Sequence, residues 1–176
     1  MLRRFDEPVI LASGLRSDVF VDAKRAVAEP AALALVGELM AAAAAEAGAD
    51  YEAVGGLVLG AVPYTFAVAA AARCRWFLVR KAPKGRGTDQ WLEGAAVGRG
   101  TRVMLVDDVV TTGASIGDAH RRVRELGATV AFATTLLDRG DVAGRSLAEA
   151  GVPYAPLLTY ADVGIDPVEP VPARPA

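Results

Sequence analysis

The chain has 176 residues, of which 19 are Lys or Arg and 21 are Asp or Glu, so its formal net charge is −2. Because 53% of the residues are apolar, the chain can bury one sizeable core, and disorder of the whole chain is excluded. The charge balance argues against a broad nucleic-acid-binding surface. The single cysteine, Cys74, excludes an internal disulfide framework and favours a cytoplasmic protein.

Helix-like and strand-like segments alternate from residue 31 onward, and this order predicts an α/β fold with a mostly parallel sheet. The predicted elements are helices over 31–47, 63–72, 115–126 and 142–150, and strands over 53–59, 76–79, 102–106, 129–137 and 154–158. Pro30 lies at the start of the first helix and Gly48 after its end. The Pro-rich residues 167–176 are expected to form an extended or disordered tail.

A long loop is predicted over residues 80–101, which are rich in glycine and charge. Loops of this length inside a compact domain are usually functional or disordered. Arg80, Lys81, Lys84 and Arg86 make its first part basic, which fits either a catalytic lid or a solvated connection.

The most informative pattern is a pair of acidic residues, Asp107 and Asp108, directly after the apolar strand 102–106. Ligands of open α/β sheets bind at the carboxyl ends of the strands. Adjacent carboxylates repel each other, so burying both without a partner is costly. Sugar hydroxyls or a hydrated metal ion would relieve that cost.

The residues that follow the two acids, Thr111-Thr112-Gly113-Ala114-Ser115, are small or hydroxylated and lead into a predicted helix. The free N–H groups and positive dipole end of a helix N-terminus suit a phosphate. An ordinary strand–turn–helix with Ser115 as the N-cap is the alternative. The acids a few residues before the cradle favour a ribose 5-phosphate site.

Residues 103–116 resemble the phosphoribosyl-pyrophosphate (PRPP) signature of type I phosphoribosyltransferases. The resemblance implies a mostly parallel twisted sheet flanked by helices, within a domain of residues 1–166 whose small N-terminal hood lies mainly in 1–30. It implies that Asp107 and Asp108 bind the ribose hydroxyls, with Mg²⁺ held mainly by PRPP nearby. It also implies that PRPP contacts the loop residues Val109, Val110, Thr111, Thr112, Gly113, Ala114 and Ser115.

Three further segments resemble the orotate phosphoribosyltransferases. They are Leu11–Lys24 with its Ser-Gly-x-x-Ser motif, Val79–Gly87 with the basic loop, and Thr134–Gly140 with Arg139. The resemblance implies that Thr111, Arg139 and Phe20 bind orotate. It implies that PRPP also contacts Gly60, Ala61, Arg80, Lys81, Lys84 and Arg86, and that Lys81, Lys84, Asp107 and Asp108 are catalytic. Members of that family are homodimers in which the loop reaches the neighbouring subunit.

Two positions depart from the family pattern. Arg86 stands where the family usually has His, and Arg retains positive charge but does not titrate near neutral pH. Val62 stands where many relatives have a polar residue or glycine. A phosphoribosyltransferase for another nucleobase, or a PRPP-binding regulator without turnover, therefore stays open beside orotate transfer.

Overall fold

The structure is a computed structural model that describes residues 2–11, 14–83 and 91–168, and this part contains eight strands and five helices. The strands are β1 (Leu2–Ile10), β2 (Arg16–Val21), β3 (Ala53–Leu57), β4 (Arg75–Val79), β5 (Leu92–Gly94), β6 (Arg102–Val110), β7 (Thr129–Asp138) and β8 (Leu158–Thr159). The helices are α1 (Ala23–Ala26), α2 (Pro30–Glu46), α3 (Val62–Ala72), α4 (Ala114–Glu125) and α5 (Val142–Glu149). None of these helices is long and apolar enough to cross a membrane.

Six strands form one sheet in the order β5-β4-β3-β6-β7-β8, and only the β4–β5 pair is antiparallel. The central strands are almost continuously apolar because helices cover both faces of the sheet. Helices α2 and α3 pack on one face around Met40 and Tyr64, while α4 and α5 pack on the other around Ile116 and Leu147. The predicted α/β fold with a mostly parallel sheet is therefore confirmed.

The N-terminal segment forms a separate hood, composed of the antiparallel pair β1–β2 and the short helix α1. Several long-range hydrogen bonds tie the hood to the rest of the chain. The Tyr64 hydroxyl donates to the carbonyl of Ala23 at 3.0 Å, and the Arg4 guanidinium donates to the carbonyl of Gly164 at 3.1 Å. The others involve Arg139 and Lys24 and belong to the site described below. The hood therefore lies at the carboxyl edge of the large sheet.

Strand β6 extends four residues beyond the predicted end at Val106, so Asp107 and Asp108 lie inside the strand rather than after it. The extension arises because β6 continues to pair with β7 as far as Val110 and Asp138. The boundaries of two other strands were also wrong. Strand β3 ends at Leu57, and β8 covers only Leu158–Thr159, with a single bridge from Tyr154 to Ala133.

The start of the predicted tail packs against the protein. Val168 is buried, and its N–H donates to the carbonyl of Arg139 at 2.8 Å. Residues 169–176 lie outside the described part of the chain. The expected extents of the domain (1–166) and of the hood (1–30) stay predictions.

We expect replacement of Gly37 by Ala to destabilise the fold. Gly37 is buried in α2, and a Cβ there would lie 2.6 Å from the backbone of Ala67 in α3. Forcing the two helices apart should lower the free energy of unfolding by about 1–3 kcal/mol in denaturant titrations. Gly117→Ala in α4 is the matched control, because its Cβ would meet nothing within 4 Å. This control should gain about 0.5–1 kcal/mol, and equal effects of both variants would contradict the packing argument.

Candidate active site

A cavity of about 410 Å³ opens at the carboxyl ends of β6 and β7, between the large sheet and the hood. It is lined by Leu11, Phe20, Val21 and Lys24 from the N-terminal segment, by Lys81, by Asp107, Asp108, Val109, Val110, Thr111, Thr112, Gly113, Ala114 and Ser115, and by Arg139. The fold thus gathers the predicted acidic pair, the predicted phosphate loop and the three residues expected to bind orotate around one space.

Asp107 is the more deeply buried of the two acids, with only 3% of its surface exposed. Burial, together with the neighbouring charge of Asp108, raises the pKa of its carboxyl to about 7. One carboxylate oxygen accepts a hydrogen bond from the backbone N–H of Asp108 at 3.0 Å. The Thr135 hydroxyl donates to the carbonyl of Asp108 at 2.8 Å, which holds the backbone of the pair against β7.

Asp108 faces a cation that the sequence analysis did not assign to the site. Its Oδ2 lies 3.3 Å from Nζ of Lys24, and its Oδ1 accepts from the N–H of Val109 at 2.7 Å. Lys24 lies in α1 of the hood and is 84 positions from Asp108 in the sequence, so no local pattern links the two residues. The one sequence feature that could have indicated its role is its position at the end of the Leu11–Lys24 segment, which resembles the family's Ser-Gly-x-x-Ser motif.

The predicted phosphate cradle is formed by the start of α4. Gly113 is the N-cap residue with φ +78°, and a Cβ at this position would come within 3.0 Å of the Cα of Ala143. Only glycine fits this left-handed, crowded position without strain. Gly113 rather than Ser115 occupies the N-cap, so the alternative with Ser115 as the cap is wrong. In the described structure the Thr112 hydroxyl accepts from the N–H of Ala114 at 3.4 Å, and the first turn of α4 borders the cavity.

Gly60 brings a second turn against the acidic pair. A Cβ on Gly60 would lie 2.7 Å from Oδ1 of Asp108, so a side chain at this position would displace the Asp108 carboxylate. Ala61 follows it and is fully buried. Neither Gly60 nor Ala61 lines the main cavity, but Gly60 lies against the carboxylate of Asp108, which does.

The two ends of the basic loop meet beside the cavity. The backbone N–H of Arg80 donates to the carbonyl of Trp91 at 2.8 Å, and the Arg80 guanidinium pairs with Glu93 at 3.0 Å. The Trp91 ring lies 3.4 Å from the guanidinium carbon of Arg122, so it anchors this end of the loop on α4. Lys81 lines the main cavity. The predicted site residues Lys84 and Arg86 lie outside the described residues.

Arg139 adds a buried cation to the lining of the cavity. Only 2% of its surface is exposed, and burial lowers its pKa. Its guanidinium donates to the carbonyl of Val19 and to the hydroxyl of Ser17, both at 3.0 Å. The Nε–H has no partner within the described residues. Phe20 lines the same cavity with 42% of its surface exposed, so it is not a core residue.

The arrangement suits a phosphorylated sugar and a planar acid in one cavity. The α4 terminus can accept a phosphate, the paired acids can bind hydroxyls, and a buried guanidinium can pair with a carboxylate. Among the described residues, no three or more His, Cys, Asp or Glu side chains are grouped so that they could hold a metal ion by themselves. Two carboxylates nevertheless fit Mg²⁺, because this ion is commonly bound by one or two carboxylates and substrate phosphates. Together the fold and this site define a phosphoribosyltransferase.

Comparison with known proteins supports that class. The family model of the phosphoribosyl transferase domain matches residues 23–150, which is most of the chain. The orotate phosphoribosyltransferase of Methanothermobacter thermautotrophicus is 40% identical over 153 residues, with 87% of this chain and 82% of that protein covered. That of Streptomyces avermitilis is 41% identical over 164 residues, with 90% and 88% covered.

A solved structure shows the same relationship. The Mycobacterium tuberculosis orotate phosphoribosyltransferase in complex with PRPP matches with a TM-score of 0.74 and 36% identity, covering 89% of this chain and 90% of that one. The chain belongs to the orotate phosphoribosyltransferase family.

The raised pKa of Asp107 predicts a pH-dependent stability. The carboxyl titrates near its ordinary value of 3.8 when unfolded and at about 7 when folded, so the folded state binds more protons between these values. Asp107 therefore lowers the stability increasingly as pH rises from about 4 to about 7. We expect Asp107→Asn to melt at a higher temperature than the parent protein at pH 8, with a smaller difference at pH 5.

The control for this prediction is Asp50→Asn, because the Asp50 side chain is 90% exposed at the far end of the sheet. Its melting temperature, measured by calorimetry, should differ from that of the parent equally at both pH values. A gain for Asp107→Asn that is the same at pH 5 and pH 8 would contradict the buried-charge argument.

Proposed function

We propose that the protein transfers the 5-phosphoribosyl group from PRPP to orotate, producing orotidine 5′-phosphate and pyrophosphate in pyrimidine biosynthesis. The observation that carries the proposal is the single cavity that joins the Asp107–Asp108 pair, the α4 terminus and buried Arg139. Relatives of similar length are orotate phosphoribosyltransferases, and one of them is solved with PRPP bound.

In this proposal PRPP spans the cavity from α4 to the basic loop. Residues 111–115 hold the 5′-phosphate at the helix terminus, and Asp107 and Asp108 hold the ribose hydroxyls. Lys81 and Arg80, with the turn at Gly60-Ala61, bind the pyrophosphate side. The resemblance to the family implies that Lys84 and Arg86 also bind the pyrophosphate. Mg²⁺ bound with PRPP would supply further positive charge for the pyrophosphate.

The reaction breaks the bond between C1′ of the ribose and the pyrophosphate oxygen, and a ring nitrogen of orotate forms the new bond to C1′. Positive charge develops on the ribose while negative charge develops on the leaving group. Asp107 and Asp108 stabilise the positive charge on the ribose, and the basic residues Lys81 and Lys84 stabilise the negative charge on the leaving pyrophosphate. Catalysis is then mainly electrostatic and positional.

Orotate is the favoured acceptor because of the charge at Arg139. The orotate carboxylate matches a buried guanidinium, whereas purine bases carry no carboxylate for such a pair. Phe20 and Thr111 lie on the same cavity and complete the proposed orotate site. A cytoplasmic homodimer in which the basic loop reaches the neighbouring subunit is part of the proposal, and it rests on the resemblance of residues 79–87.

The direct test is a spectrophotometric assay of purified protein with PRPP, Mg²⁺ and a panel of nucleobases. We expect orotate to be consumed and the purine bases to remain. Turnover of another base without orotate consumption would overturn the acceptor assignment. PRPP binding in calorimetry without turnover of any base would instead indicate a regulator.

Replacement of Asp108 by Asn should impair the use of PRPP. The variant loses a charge that faces the ribose and the ion-pair partner of Lys24. We expect kcat/KM for PRPP to fall about a hundredfold. Asp50→Asn removes an equivalent charge far from the cavity and should stay within about twofold. If the two variants had equal kcat/KM for PRPP, the assignment of Asp108 to the PRPP site would be wrong.

A further inference from the structure

Ser17 is a buried residue of β2 whose hydroxyl contacts the side chain of Arg139, a residue that lines the cavity. Its Oγ accepts from the Arg139 guanidinium at 3.0 Å and from the N–H of Val19 at 3.0 Å. Only 9% of Ser17 is exposed. The bond to Val19 fixes the hydroxyl oxygen on its own strand, so the acceptor that it offers to Arg139 is rigid.

Two acceptors on the same strand hold the guanidinium. One terminal nitrogen donates to the Ser17 hydroxyl and the other to the Val19 carbonyl, at 3.0 Å each. A single contact would leave the planar group free to rotate about that bond, whereas two contacts fix its plane. The Arg139 backbone is fixed as well, because its N–H donates to Val110 and its carbonyl accepts from Val168, both at 2.8 Å.

The fixed guanidinium still has donors to offer. The Nε–H has no partner among the described residues, although Arg139 is almost completely buried. A buried donor without a partner is unfavourable and gains from an incoming acceptor. A carboxylate accepts best from arginine when the two planes are aligned, so its binding depends on the orientation that β2 imposes.

We propose that Ser17 is a positioning residue for the acceptor base, which acts by orienting the Arg139 guanidinium toward the carboxylate of the substrate. The inference rests on the proposed function and extends it to a residue that does not itself line the cavity. The inference predicts an effect on the acceptor but not on PRPP. In the described structure Ser17 makes no hydrogen bond to Asp107, to Asp108 or to the start of α4.

The test compares Ser17→Ala, Ser17→Cys and Ser17→Thr in steady-state kinetics with both substrates varied. We expect Ser17→Ala to raise KM for orotate about tenfold, as for loss of a hydrogen bond to a charged group. KM for PRPP should stay within about twofold. Ser17→Thr keeps the hydroxyl and suits a strand, so it should restore KM for orotate. Ser146→Ala, the same change on the exposed face of α5, is the matched control.

Ser17→Cys preserves size but accepts hydrogen bonds weakly. It therefore keeps the test valid if the alanine variant does not fold, and it should also raise KM for orotate selectively. Equal rises in KM for both substrates, or no rise in either folded variant, would overturn the proposal, because a merely structural role predicts no selectivity for orotate.

A second readout does not depend on turnover. In nitrogen-15 NMR spectra of the unliganded protein, the Nε–H signal of Arg139, assigned by its loss in Arg139→Lys, should move in Ser17→Ala and return in Ser17→Thr. An unmoved signal would overturn the orientation argument even if orotate is a substrate. If the parent protein consumes no orotate, the proposed function fails, while the NMR result still reports on the Ser17–Arg139 contact.

Discussion

The site depends on holding two neighbouring carboxylates at the buried end of β6. The two charges repel each other, and Asp107 lies almost fully out of water. The surrounding protein reduces this cost with backbone N–H donors and with Lys24 from the hood. The proposed binding of a sugar diol would reduce the remaining cost, because its hydroxyls can donate hydrogen bonds to the acids.

The cavity combines parts of the chain that have different tasks. The large sheet and α4 provide the acidic pair and the helix terminus, and both are formed by neighbouring stretches of sequence. The hood provides Lys24 and Phe20 and immobilises Arg139. The donor half of the proposed reaction is thus built locally, whereas the acceptor half exists only when distant segments have assembled.

This division explains how far the sequence could be interpreted. The strand–turn–helix around Asp107 and Gly113 was predictable because apolar patterning and turn residues are local signals. The end of β6 was misplaced because pairing with β7, a tertiary interaction, extends it to Val110. The Lys24–Asp108 and Ser17–Arg139 contacts join residues 84 and 122 positions apart, so no periodicity indicates them. The resemblance named Arg139, but not the contacts that fix it.

Arg139 links the two ends of the described chain, since its guanidinium is bonded to β2 and its carbonyl to Val168. The region matched by the family model, residues 23–150, includes neither of these partners. A fragment cut at those borders would keep the phosphate cradle and release the arginine on both sides. The region matched by the family model is therefore smaller than the set of residues that hold Arg139 in place, and fusions or truncations near residue 168 would act next to this arginine.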